Sequence, residues 1–203
     1  MKVIGLIGRS GSGKSTLAGA LGRLGAAVLD GDGIAAGLLI PGSPVLHEVL
    51  DAFGHEYLTP YGYLDRKALG RLVFSEKREL ERLNAIVHPA FKERIAVLLE
   101  GLRNSKDCPD FAVLDAAVLF EAGLDSLCGL VVAVLCDEAT MAGRVSLREG
   151  ISMEEAMERI AAQKASRGDY ELITKSDLVV ISRRDSKEME TWAKRIIRIA
   201  GGR

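Results

Sequence analysis

At 203 residues the chain has room for one domain with insertions and a real buried core. Lysine plus arginine (27) nearly balance aspartate plus glutamate (28), a formal net charge of −1, so no global field draws the molecule to nucleic acid or an anionic membrane. The three cysteines, Cys108, Cys128 and Cys136, are odd in number and lack C-x-x-C spacing; they read as small thiols of a reducing cytoplasm rather than disulfides or metal ligands.

The chain opens on Lys2-Val3-Ile4-Gly5-Leu6-Ile7, an apolar run too short for a secretory signal and suited to a buried strand. Gly8-Arg9-Ser10-Gly11-Ser12-Gly13-Lys14-Ser15 follows, and Thr16-Leu17-Ala18-Gly19-Ala20-Leu21 then reads as the opening of a helix. A G-x-x-x-x-G-K-[ST] string between a strand and a helix is the P-loop. Its glycines bring backbone N–H groups against phosphate oxygens, and the helix aims its positive end at the same oxygens. Gly11, Ser12, Gly13, Lys14, Ser15 and Thr16 are therefore the expected nucleoside triphosphate contacts, with Lys14 on the β- and γ-phosphates and the Ser15 hydroxyl on Mg²⁺.

A second strand, Ala26-Ala27-Val28-Leu29-Asp30, runs into Asp30-Gly31-Asp32-Gly33. Phosphoryl transfer to an alcohol is helped by a carboxylate that orients the hydroxyl and accepts its proton. Asp32 is the expected base, because Asp30 still belongs to the strand; capping of the next helix is the other reading of either aspartate. Residues 33–103 are helical in pattern, with turns at Pro41-Gly42-Ser43-Pro44 and Thr59-Pro60-Tyr61-Gly62 and helix starts expected near Asp65 and near Pro89. This insertion is long enough to form a lobe over the site.

Phe111-Ala112-Val113-Leu114-Asp115 is a third strand, Leu130-Val131-Val132-Ala133-Val134-Leu135 a fourth and Leu178-Val179-Val180-Ile181 a fifth. Residues 127–136, the most hydrophobic segment, have about half the length a membrane span needs. Continuous apolar runs separated by helical patterns predict an α/β fold, a three-layer sandwich around a parallel five-stranded sheet. Ligands of such sheets lie beyond the carboxyl ends of the strands. Asp115, closing the third strand, resembles a Walker-B acid that holds Mg²⁺ through water or helps bind the acceptor. Residues 138–175 suit a hinged helical cover, with Ser152-Met153-Glu154-Glu155 as a capping box. Arg144 and Arg148, four apart, share one helical face beside the phosphate end and are the expected lid cations. Arg159 and Arg167 read as a solvated face, and Trp192 as core packing of a C-terminal amphipathic helix. Gly201-Gly202-Arg203 is expected to fray.

Taken together, these residues resemble dephospho-CoA kinase, a P-loop kinase family that phosphorylates the ribose 3′-hydroxyl of dephospho-CoA with ATP. The likeness starts in the P-loop and Leu29-Asp30-Gly31-Asp32. It continues through Pro41-Gly42-Ser43-Pro44, Phe53-Gly54, Leu64-Asp65-Arg66-Lys67-Ala68-Leu69, Leu83-Asn84-Ala85-Ile86-Val87-His88-Pro89, Leu119-Phe120-Glu121-Ala122-Gly123-Leu124 and Ala161-Ala162-Gln163. The resemblance implies one kinase domain with its core in residues 1–32, 104–137 and 176–203, a CoA-binding insertion in 33–103 and a lid in 138–175. It implies Asp32, Lys14 and Arg144 as catalytic residues, with Arg144 and Arg148 also on ATP. The acceptor would be held by Asp32, Arg66, His88, Phe120 and Glu121, and Mg²⁺ by Ser15 and Asp115. It implies a cytoplasmic enzyme using ATP and Mg²⁺ on dephospho-CoA, with no nucleic acid, membrane or obligate protein partner.

Three of the acceptor residues have a second reading: His88 as a helix cap, Phe120 as core, Arg66 as surface. The chain departs from the family pattern at Ala117, where a proline is usual, and at Ile181-Ser182-Arg183-Arg184-Asp185, where an asparagine-containing stretch is usual near the donor adenine. Two rivals are another small-molecule P-loop kinase and a GTP-dependent switch reading guanine through Thr174-Lys175-Ser176-Asp177. The second is disfavoured because Asp177 enters a strand instead of leaving one.

Overall fold

The computed structural model describes residues 1–166, 168–183 and 186–202. Five strands, β1 (Lys2–Ile7), β2 (Ala27–Asp30), β3 (Phe111–Asp115), β4 (Leu130–Leu135) and β5 (Leu178–Ile181), form one sheet in the order β2-β3-β1-β4-β5, and every pairing is parallel. Alternate residues of each strand face opposite layers, as the pleat requires. Ile4, Leu6, Val113, Val132, Val134 and Val180 pack on one side with helices α1 (Lys14–Arg23) and α9 (Ser186–Gly202). Val3, Ile7, Ala112, Leu114, Val131 and Ala133 pack on the other, against Phe91, Ile95 and Leu99. The three-layer expectation holds, and Trp192 rests against the first layer as the pattern indicated.

Between β2 and β3 lie α2 (Gly31–Gly37), α3 (Pro44–Phe53), α4 (Arg66–Ser75) and α5 (Lys77–Arg103). Capping residues set the starts: Ser43 accepts from the Leu46 N–H and Asp65 from those of Lys67 and Ala68. The expected helix start near Pro89 is wrong. Pro89 sits inside α5, a single helix of 27 residues. Its ring costs one backbone hydrogen bond, a loss that packing on both halves outweighs. Leu80, Leu83, Ile86 and Val87 join the α3–α4 cluster of Leu46, Val49, Leu50, Leu69 and Val73, while Phe91, Ile95 and Leu99 lie under the sheet.

After β4 come α6 (Glu138–Glu149), α7 (Met153–Ser166) and α8 (Asp169–Thr174). Asp137 caps α6 through the Thr140 N–H, and the capping box forms as read, with Ser152 N to Glu155 Oε2 at 2.9 Å and Glu155 N to Ser152 Oγ at 3.1 Å. Met141, Ala142, Val145, Ala156 and Ile160 give this pair of helices its own small core.

The expectation of a frayed tail also fails, since α9 runs through Gly202; Arg203 lies outside the described residues. The Lys2 Nζ donates to the carbonyls of Ala200 at 2.8 Å and Gly201 at 3.2 Å, satisfying two acceptors the helix end leaves open. No described helix is long and apolar enough to cross a membrane.

Candidate active site

The parallel register brings the carboxyl ends of β2, β3 and β1 level. Asp30 pairs with Asp115, and Asp115 with Leu6, one residue before the strand gives way to the phosphate loop. Among the described residues four polar or charged residues are buried as a whole: Ser12, Lys14, Asp115 and Ser182. Three come from the loop and the strand beside it; Ser182 comes from the end of β5.

Gly11 and Gly13 adopt φ of +77° and +97°, a region L-residues with a Cβ rarely enter. Space excludes a side chain as well: a Cβ on Gly11 would fall 2.5 Å from the Met141 carbonyl oxygen, and one on Gly13 would fall 2.7 Å from Ser182 Oγ. The loop is thus wedged between α6 and the end of β5. Lys14 opens α1 and ion-pairs through its Nζ with Asp115, both almost wholly covered. Ser12 Oγ is buried without a protein partner among the described residues, whereas the Ser15 and Thr16 side chains lie exposed at the helix start.

The two expected lid arginines both face the loop. Arg144 Nη1 donates to the Gly11 carbonyl at 2.9 Å and Ser182 Oγ at 3.2 Å, and its Nη2 to the Arg183 carbonyl at 2.7 Å. Arg148 Nη2 donates to Ser10 Oγ at 2.9 Å and to Glu149 Oε1 at 2.7 Å, and that hydrogen bond, with Arg159 nearby, holds the Glu149 carboxyl below its usual range. Arg159 is half exposed and pairs with Glu149, as a solvated residue should; Arg167 lies outside the described residues. Two further contacts join the loop to this cover, one of them through Gln163 of the Ala161-Ala162-Gln163 stretch. Arg9 pairs with Asp169 of α8, and the Ser10 N–H donates to Gln163 Oε1 of α7 at 3.0 Å. Their partners stand 160 and 153 residues away, beyond any local spacing rule.

The acceptor-side residues stand apart from these. Asp30 caps α2 through the Asp32 N–H at 3.1 Å, so the capping reading holds for Asp30. The Asp32 carboxylate is exposed at the head of α2, with no hydrogen bond or ion pair among the described residues. Arg66 Nη2 donates to the Ala36 carbonyl at 3.1 Å, tying α4 to the helix that carries Asp32. His88 is in mid-helix, so it caps nothing. Its Nδ1 lies 3.2 Å from the Glu121 carbonyl oxygen, which can only accept; the proton therefore sits on Nδ1 and Nε2 keeps a lone pair. Burial lowers the imidazole pKa, favouring that neutral form. Phe120 is half-buried, with Lys175 Nζ 5.6 Å from its ring centroid, an arrangement suited to cation–π attraction. Asp177 accepts from the Val131 N–H at 2.8 Å at the entry to β5, a structural task incompatible with guanine reading.

Among the described residues no cluster of three or more His, Cys, Asp or Glu side chains could hold a metal. The donor set that is present, one serine hydroxyl and one buried carboxylate beside a phosphate loop, fits Mg²⁺, which is held by few protein groups plus phosphates and water. Burial takes the Cys128 thiol up to about 12, and burial also raises the Cys136 thiol against the opposing charge of Arg144, so neither is a thiolate nucleophile at neutral pH.

The family model for dephospho-CoA kinase matches residues 2–183. A dephospho-CoA kinase of Geobacter sulfurreducens is 40% identical over 200 residues, spanning 96% of this chain and 99% of its own. Among solved structures, TT1252 from Thermus thermophilus superposes with a TM-score of 0.76 at 31% identity, covering 98% of this chain and 97% of that one. A dephospho-CoA kinase from Campylobacter jejuni shares the fold, with a TM-score of 0.68 at 24% identity over 100% of this chain and 99% of its own.

Proposed function

This chain belongs to the dephospho-CoA kinase family, and from that membership we infer that it transfers the γ-phosphate of ATP to the ribose 3′-hydroxyl of dephospho-CoA, yielding ADP and coenzyme A. The observation that carries the reading is the level row of strand ends: the Lys14–Asp115 pair at β1 and β3, and the unengaged Asp32 carboxylate one strand further out.

The backbone of residues 11–16 cradles the triphosphate. Lys14, paired with Asp115 here, has ammonium N–H donors to turn to the β- and γ-phosphates. Arg144 and Arg148 line the loop from the cover and add positive charge to it. Asp32 orients the 3′-hydroxyl and takes its proton as the oxygen–phosphorus bond forms and the bond to ADP breaks. His88, with Nε2 as an acceptor, Arg66, Phe120 and Glu121 hold the acceptor on the insertion side. Ser15 and Asp115 would hold Mg²⁺, which would supply charge neutralisation on the phosphates. The enzyme works in the cytoplasm on a small molecule and needs no nucleic acid, membrane or obligate protein partner; the near-zero net charge supports this.

Asp32→Asn tests the base. Turnover should fall by orders of magnitude, about 10²–10⁴-fold, while ADP still binds with its normal Kd; Lys14→Met should abolish transfer. Unchanged turnover in Asp32→Asn removes Asp32 from the chemistry.

A further inference from the structure

We propose that Ser182, with Arg144, clasps the phosphate loop into its binding shape, which makes Ser182 a positioning residue for the triphosphate rather than a reader of the donor base. The inference rests on the assignment of the loop as the donor site and is indifferent to the acceptor.

Three observations converge on it. Ser182 is 3% exposed and is the one buried polar side chain of the site contributed by neither the loop nor β3. Its backbone N–H donates to the Leu135 carbonyl at 2.7 Å, so the residue is fixed to the end of β4 and cannot swing away. A Cβ on Gly13 would fall only 2.7 Å from the Ser182 hydroxyl oxygen, so the hydroxyl packs beside the residue that precedes Lys14. Arg144 then closes the circuit. One nitrogen bridges the Gly11 carbonyl and the Ser182 hydroxyl, and the other takes the Arg183 carbonyl. A planar guanidinium with forked donors can hold three such acceptors at once, which an ammonium cannot.

The consequence is directional. The Gly11 carbonyl is an acceptor, and an acceptor turned toward the phosphates would repel them. Arg144 donates to that carbonyl, so its oxygen is held by a cation rather than presented bare to the phosphates. Moving Arg144 onto the transferring phosphate would release Gly11, so Arg144 acts through the loop.

Binding of three probes without dephospho-CoA tests the clasp: inorganic tripolyphosphate, ADP and AMP, titrated against the full-length protein and its Ser182→Ala and Arg144→Lys variants. Loss of a charge-assisted hydrogen bond should raise the Kd for tripolyphosphate and ADP in parallel by about five- to tenfold in each variant. The double variant should be no weaker than the weaker single one, because both remove one device. In turnover, the KM for dephospho-CoA should stay unchanged. An unaltered tripolyphosphate Kd in either folded variant overturns the proposal, as does weakening of AMP alone, which would make Ser182 a base reader. Should Ser182→Ala fail to fold, Arg144→Lys, on a partly exposed side chain that keeps its charge, carries the test. Because no probe contains the acceptor, a failure here is distinct from a failure of the dephospho-CoA assignment.

Discussion

The Lys14–Asp115 ion pair places two charges in a site from which water is largely excluded. Such a pair roughly balances its own desolvation, yet losing one member leaves the other charged and uncompensated. On the proposed reading, nucleotide competes with Asp115 for Lys14. Asp115→Asn should lower the stability of the nucleotide-free protein by about 3 kcal/mol and enlarge the rise in Tm that ATP gives in the presence of EDTA. An unchanged Tm of the nucleotide-free variant would show the pair to be weak. At this scale the sequence was readable only where chemistry is written in local spacing. The string that marks Lys14 and Ser15 spans eight residues, and the capping roles of Asp65 and Ser152 follow from neighbours within three. The partnering of Lys14 with Asp115, 101 positions away, and of Arg144 with Ser182 depends on strand order, which no local pattern encodes.

Helix α5 is the element on which sequence reasoning failed most clearly, and the reason is physical. A proline normally marks a helix start or stop, and the rule gives way when tertiary packing rewards continuity on both sides. Here the N-terminal half belongs to the insertion's cluster and the C-terminal half to the sheet. Continuity fixes His88, one residue before Pro89, against the Glu121 carbonyl beyond β3. Pro89→Ala restores an N–H to the helix and should raise stability by about 1 kcal/mol or more. If the proline shapes the helix for the acceptor, the same variant should show a higher KM for dephospho-CoA. A gain in Tm with no change in KM would make Pro89 neutral to function. The strands, by contrast, were legible nearly to the residue, because buried parallel strands need unbroken apolar runs and this chain has five.

Across the whole molecule the parts meet along one edge. The cover, from β4 and β5, docks on the loop through Arg148–Ser10, Gln163–Ser10 and Arg9–Asp169, and the insertion meets the end of β3 through His88. The fold was legible in the sequence, and so was the choice of Arg148 and Gln163 as cover residues; their contacts with Ser10 and the Arg9–Asp169 pair were not, since they join distant segments. The His88 contact also carries a pH dependence. Burial puts the folded-state pKa below the ordinary 6.5, so the unfolded chain binds the proton more readily. This contribution to stability is present above about pH 6.5 and is lost as pH falls through that value toward the folded pKa. His88→Gln should flatten the stability profile over that acidic window in urea melts; an identical profile would mean that the imidazole is not held neutral.

The central claim is that a loop-bound triphosphate faces a ribose alcohol presented from the insertion. It is tested most directly by ADP release from Mg·ATP with dephospho-CoA, adenosine, nucleoside monophosphates or no acceptor. The account predicts rapid release with dephospho-CoA alone and a 3′-phosphorylated product. Equal rates with all acceptors, or faster release with a nucleoside monophosphate, would contradict it.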